Sequence, residues 1–142
     1  IMIDREFVLE KINLITRDLR RLEVFSDLTI DQVAEDFIKF AALKNILMET
    51  IGRAIDINQH VISELSGPEI EAPKSYRATF LLLGELGIIP KEFAEEISKS
   101  AGLRNVIVHE YNNLDKTIIY KKVGDAINQY VMYCDYIIKF LE

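Results

Sequence analysis

At 142 residues, 49% hydrophobic and 28% charged, the chain has the size and composition of one folded domain, which excludes a disordered polymer and a second sizeable core. Its net charge of −6, from 17 basic against 23 acidic side chains, argues against a broad nucleic-acid-binding face, because such faces neutralise phosphates with Lys and Arg. One Cys and two His exclude an internal disulfide and leave too few soft ligands for a closed zinc site, so neither a structural metal nor a cofactor is expected.

The three Pro and six Gly are few enough to favour long uninterrupted helices. Val8, Ile12, Ile15, Leu19 and Leu22 recur at spacings of four, three, four and three, which predicts an amphipathic helix over about Asp4 to Leu22. Ser26 to Ile30 interrupts that pattern. Thr29 and Gln32 then have capping-box spacing and open a second helix. Its inward positions are Val33, Phe37, Phe40, Ala41, Leu47, Met48, Ile51 and Ile55, continuing to Val61 and Leu65, with Gly52 a kink or a point of close packing.

Gly67-Pro68 ends this second helix, and Pro73 closes a polar loop. Ser75 is an N-cap for a helix over Tyr76 to Leu86, whose run Phe80-Leu81-Leu82-Leu83 must be largely buried. Gly87 suits a left-handed C-terminal position and Pro90 the first turn of the next helix, which turns Phe93, Ile97 and Ala101 inward. Leu103 to Val108 is helical, and Tyr111-Asn112-Asn113 marks an end. Asp115 caps a final helix carrying Ile119, Val123, Ile127, Tyr130, Cys134, Ile137 and Leu141. Cys134 thereby falls on an apolar stripe, where a buried thiol is expected rather than a nucleophile. The expected architecture is one all-α domain over residues 1–142, an antiparallel bundle of about five helices. No apolar run reaches the roughly 18 residues of a membrane span and no secretory leader pattern appears, so the expected setting is the cytoplasm, without a membrane partner.

Two segments hold groups that could do chemistry. In Arg104-Asn105-Val106-Ile107-Val108-His109-Glu110-Tyr111 a cation, an amide, an imidazole and a phenol bracket an apolar anchor. Arginine is a planar fork matched to phosphate, and histidine exchanges protons near neutral pH. RNA cleavage needs these groups: the 2′-hydroxyl loses a proton, the 5′-oxygen gains one, and the pentavalent phosphate takes cationic hydrogen bonds. Residues five apart on an ideal helix are offset by about 140° and about 7.5 Å, so Arg104 and His109 do not share a stripe. Either the arginine bends round, or the helix ends near His109, or two copies of the segment meet across a dimer. Chemistry and spacing alone also allow a plain surface arginine and a helix-end histidine. In the second segment, Asp56 and His60 stand four apart on the long helix, as an oriented histidine beside a cleft or as a structural pair. Arg53 is either part of a basic rim or an ordinary solvated charge.

The first segment resembles the Arg-x4-His-x-Tyr signature of the HepT-like branch of HEPN proteins, including the Asn after Arg. Similarity extends to Ser75-Tyr76-Arg77, to the Phe80–Gly87 run with Ile88-Ile89-Pro90, to Asp115, and upstream to Arg53–Ile57 and His60–Ile62, covering most of the chain from about residue 33. The resemblance implies a helical homodimer with facing motifs, and a metal-independent endoribonuclease toxin acting on RNA, with tRNA among the candidates. It also implies a partner antitoxin, the minimal nucleotidyltransferase MntA, which silences the toxin by transferring AMP to the motif tyrosine. By position Arg104 would clamp phosphate, Asn105 orient it, His109 serve as acid or base, and Tyr111 be the AMPylated residue, with Arg53, Asp56 and His60 as accessory candidates. Two other functions compete: a non-catalytic module that binds nucleotides or a nucleotidyltransferase, and a purely structural helical dimer.

Overall fold

The computed structural model describes residues 2–109 and 116–142, without the side chains of residues 108 and 109. Among the described residues there are six helices and no strand: α1 (Arg5–Ser26), α2 (Ile30–Ala34), α3 (Phe37–Leu65), α4 (Tyr76–Glu85), α5 (Lys91–His109) and α6 (Lys116–Leu141). Helix α3 is the spine against which all the others pack. Helix α1 runs antiparallel to both α3 and α6. Near its start, the Asp4 N–H reaches His60 late in α3 and Arg5 reaches the carbonyl of Leu141, while just beyond its end the carbonyl of Leu28 accepts from Tyr120. The core is the inward stripe of each long helix, with Val8, Ile15 and Leu22 of α1, Leu43, Leu47, Ile57 and Val61 of α3, and Tyr130, Tyr133 and Ile137 of α6 all fully enclosed.

Local chemistry sets the ends of these helices. Thr29 and Gln32 form the expected capping box, Gln32 N–H donating to Thr29 Oγ1 at 3.2 Å and Thr29 N–H to Gln32 Oε1 at 2.8 Å. Ser75 accepts from the Ala78 N–H at 3.0 Å. Gly87 has φ 76°, and the Ile88 N–H returns to the Leu83 carbonyl at 3.0 Å, closing α4 in the left-handed manner. Between α4 and α5 the approach is so close that a Cβ on Gly84 would lie 2.7 Å from the Ala94 Cβ. Pro90 stands just ahead of α5, and its carbonyl accepts the Ala94 N–H.

The structure departs from the periodicity at two places. Helix α1 continues one turn past Leu22, burying Phe25. The expected second helix is two, broken at Asp36. That residue takes an extended conformation, and its carboxylate accepts the Ile38 and Lys39 N–H groups, both at 3.0 Å, as the N-cap of α3. Phe37, expected inward, is consequently 85% exposed. Helix α3 continues unbroken through Gly52. The expected helix end at Tyr111–Asn113 and the Asp115 cap lie outside the described residues. No described helix is long and apolar enough to cross a membrane.

Cys134 is buried, as its stripe requires. Burial, followed by the neighbouring Asp135 charge, pushes its thiol from 9.0 up to about 12, against a smaller opposing hydrogen bond with Thr16. The native state therefore keeps a proton that the unfolded chain releases above 9.0, so this site's contribution to stability is complete below that pH and falls as pH rises towards 12. Iodoacetamide at about pH 8 is expected to leave the native thiol unmodified and to label it fully in urea. Urea midpoints measured upwards from pH 9 should fall, and Cys134→Ala should flatten part of that slope. Rapid native labelling would contradict the buried thiol.

Candidate functional site

Arg104 lies on the face of α5 that packs towards α3, close to Gly52: a Cβ there would sit in ordinary contact, 3.9 Å from Arg104 Nε. Its guanidinium is 5.4 Å over the ring of Tyr76, at the start of α4. Nε is buried and has no hydrogen-bond partner among the described residues. The arginine thus borders a cleft of about 440 Å³ with Lys11, Glu49, Arg53, Asp56 and Gln59. Three cations (Lys11, Arg53, Arg104) against two carboxylates (Glu49, Asp56) give the cleft a charge of +1 in a chain of −6. Asn105, one residue on, borders the adjoining larger recess.

The remaining candidates are held mainly by α1. Asp18 is buried near the middle of that helix, and Arg53 pairs with it while also meeting Glu49 at 3.3 Å. Arg21 at 3.3 Å and Arg17 at 3.5 Å complete the ring of cations round Asp18. Arg53 is therefore neither a free rim charge nor a solvated one. Asp56 and His60 do not pair with each other: Asp56 takes Lys11 at 3.0 Å, and His60 Nε2 accepts the Asp4 N–H at 2.9 Å while its ring lies 5.3 Å from Phe7. Packing of α1 along α3 gives each a partner better placed than its neighbour one turn away. Asp56 still borders the Arg104 cleft, whereas His60 belongs to the α1 start.

Helix α5 is continuous through His109, so the offset of about 140° from Arg104 applies along it. The His109 side chain and Tyr111 lie outside what is described.

Sequence reasoning did not single out what holds Tyr76. The buried Tyr133 hydroxyl donates to Asn58 Oδ1 at 2.5 Å and lies 3.1 Å from the Ala54 carbonyl. Asn58 Nδ2 donates to Thr79 Oγ1 at 3.1 Å, and the Thr79 hydroxyl donates to the Tyr76 carbonyl at 2.6 Å. One polar chain thus ties α6, α3 and α4 together and ends at the residue stacked on Arg104. Its only trace in the sequence is a pair of polar residues, Asn58 and Thr79, at otherwise apolar helical positions.

The family model for ribonuclease HepT-like proteins matches residues 15–137. The chain belongs to the HepT-like ribonuclease family. It is 32% identical over 133 residues to a tRNA nuclease HepT of Aphanizomenon flos-aquae, covering 92% of this chain and 87% of that one. It is 34% identical over 122 residues to a putative RNase of Archaeoglobus fulgidus, covering 86% and 83%. Its fold matches the tri-AMPylated Shewanella oneidensis HEPN toxin in complex with MNT antitoxin, with a TM-score of 0.81 at 25% identity over 94% of this chain and 97% of the other. The all-helical HEPN fold and the ribonuclease class expected from the Arg104–Tyr111 motif therefore hold, and this HepT-like chain is a ribonuclease of the toxin–antitoxin class.

The Asp18 cluster generates a stability prediction. Asp18→Ala takes away the buried partner of Arg53 and leaves it only the half-exposed Glu49, so it should lower stability by about 1–3 kcal/mol, read from the urea midpoint. Arg21→Ala, on an exposed side chain, should cost well under about 1 kcal/mol. Equal effects of the two substitutions would show that Arg53 does not depend on Asp18.

Proposed function

We propose that residues 1–142 form one HEPN domain acting in the cytoplasm as a metal-independent endoribonuclease toxin, with RNA, and tRNA first, as its substrate. The observation that carries this reading is Arg104: a guanidinium held over the Tyr76 ring, its buried Nε N–H without a partner among the described residues, in a locally positive cleft. Such a group is preorganised for the charge that builds on phosphate in the transition state.

In the proposed reaction one His109 removes the proton of the 2′-hydroxyl, whose oxygen attacks phosphorus. Negative charge then grows on the phosphate oxygens that Arg104 holds and Asn105 orients. The bond to the 5′-oxygen breaks as that oxygen takes a proton from an imidazolium, leaving a 2′,3′-cyclic phosphate and a 5′-hydroxyl. The 140° offset leaves one chain short of a complete acid–base pair, so the site is assigned to a homodimer in which two motifs face each other and two His109 rings divide the roles. Pairing two clefts also doubles the local positive charge. Arg53 and Asp56 contribute by shaping the cleft wall, and His60 only by anchoring α1.

Purified protein is expected to scatter light as a particle of twice the chain mass and to cleave tRNA or total RNA in EDTA. His109→Ala should retain its helical circular dichroism and lose about 10²–10⁴-fold in rate. A monomer with full activity would contradict the composite site, and complete loss of cleavage on chelation would contradict the metal-independent mechanism.

The solved Shewanella oneidensis toxin is tri-AMPylated and bound to its MNT antitoxin. By the Arg-x4-His-x-Tyr signature that this sequence resembles, Tyr111 is the proposed acceptor for AMP from an MntA-like nucleotidyltransferase. Each AMP adds a phosphate negative charge near Arg104 and competes for the cation that binds RNA. Incubation with the cognate nucleotidyltransferase and ATP should place adenylate on Tyr111 by peptide mass spectrometry and suppress cleavage in proportion. Adenylate elsewhere, with Tyr111 untouched, would overturn the assignment.

A further inference from the structure

The recess bordering Asn105 is larger than the arginine cleft, about 680 Å³, and different in chemistry. Uncharged donors and acceptors line it (Gln59, Ser63, Ser66, Thr79 and Asn105) between apolar walls, with Lys74 the one charged residue bordering it among the described residues. Tyr76 borders both spaces. Arg104 lines the smaller space and not the larger, so the two spaces meet at Tyr76 with the guanidinium on one side of the junction. An uncharged, amide- and hydroxyl-lined slot with an aromatic wall, next to a cationic cleft, divides a nucleotide in the way its own chemistry is divided. Phosphate belongs on the arginine side, and the neutral heteroaromatic base on the other.

We infer that this recess is a nucleobase subsite of the RNA-cleaving site, and that Tyr76 is its stacking wall and a substrate-positioning residue. The inference rests on the ribonuclease reading above and extends it. Single-stranded RNA is read by stacking splayed bases on aromatic side chains and by hydrogen bonds to their edges. Side-chain amides at Gln59 and Asn105 and hydroxyls at Ser63 and Ser66 supply both donors and acceptors for such edges. The polar chain from Tyr133 through Asn58 and Thr79 ends on the Tyr76 backbone and fixes the wall where it stands. Arg104 lies against the same ring, so seating a base in the recess also sets where its phosphate meets the guanidinium. The assignment accounts for the recess and for an aromatic residue that is 42% exposed at a helix start.

Two readouts test it. Binding is read with short single-stranded oligonucleotides, uniformly 2′-O-methylated so that they cannot be cleaved, carrying 2-aminopurine at each position in turn. Wild-type protein should quench the fluorophore at one or two positions, Tyr76→Ala should bind about tenfold or more weakly with the quench lost, and Tyr76→Phe should match wild type. Cleavage of the matching RNA should show KM raised by about the same factor in Tyr76→Ala, in addition to whatever fall in kcat follows from releasing Arg104. An RNA abasic at the quenched position should show the same KM with both proteins. Should Tyr76→Ala lose helical circular dichroism, Tyr76→Leu, which keeps bulk without an aromatic face, replaces it. No quench in a wild-type protein that cleaves RNA would overturn the subsite while leaving the ribonuclease reading intact. A fall in kcat alone would also overturn it, showing that Tyr76 acts only on Arg104. Absence of cleavage together with a position-specific quench would instead strike the ribonuclease reading and keep the base pocket.

Discussion

A fully buried amide organises this fold. Asn58 sits in the middle of α3 at 0% exposure, and an unpaired buried polar group costs on the order of 1–3 kcal/mol. Its carbonyl oxygen is met by the Tyr133 hydroxyl from α6, and its NH₂ finds the Thr79 hydroxyl on α4. Apolar contacts would tolerate sliding of these helices by part of a turn; the hydrogen bonds do not. Their register follows from Asn58, and with it the position of Tyr76, whose carbonyl accepts from the same Thr79 hydroxyl. Arg104 is then placed between a ring set by that chain and the α3 backbone at Gly52.

Charge is distributed on the same plan. Helix α1 runs along α3 and satisfies its polar side: Lys11 meets Asp56, buried Asp18 meets Arg53, and the Asp4 N–H meets His60. The groups that α1 neutralises are the ones that would otherwise compete with, or compensate, a substrate anion. Among the described residues Arg104 meets no carboxylate in an ion pair, and its Nε has no hydrogen-bond partner. An acidic chain can therefore present a small positive cleft, because long-range repulsion is screened over about 10 Å while a fixed guanidinium acts at contact distance.

The adjoining spaces differ for a topological reason. Helix α5 carries Arg104 and Asn105 on successive positions, about 100° apart, so one side chain enters the cleft against α1 and the other the recess against the α3–α4 loop. Tyr76 stands at the junction because Ser75 begins α4 there.

Much of this was determined within a turn or two of sequence. The capping box at Thr29, the Ser75 cap, the Gly87 terminator and the apolar stripes of α1, of α3 from Phe40 onward and of α6 depend on neighbours three or four residues away, and appear where the residues put them. The Arg104–Tyr111 motif was equally legible and carried the family with it. The break at Asp36 was missed because Phe37 and Phe40 continue the apolar spacing, while a carboxylate that prefers to cap two N–H groups overrides it. Tertiary structure alone decided the roles of Asp56 and His60, whose partners Lys11 and Asp4 lie 45 and 56 residues away, and that of Arg53, 35 residues from Asp18. It also decided that Tyr76 meets Arg104. Periodicity states which face a side chain occupies; which atom it meets there depends on how the helices pack, and that was set by the buried hydrogen bonds of Asn58.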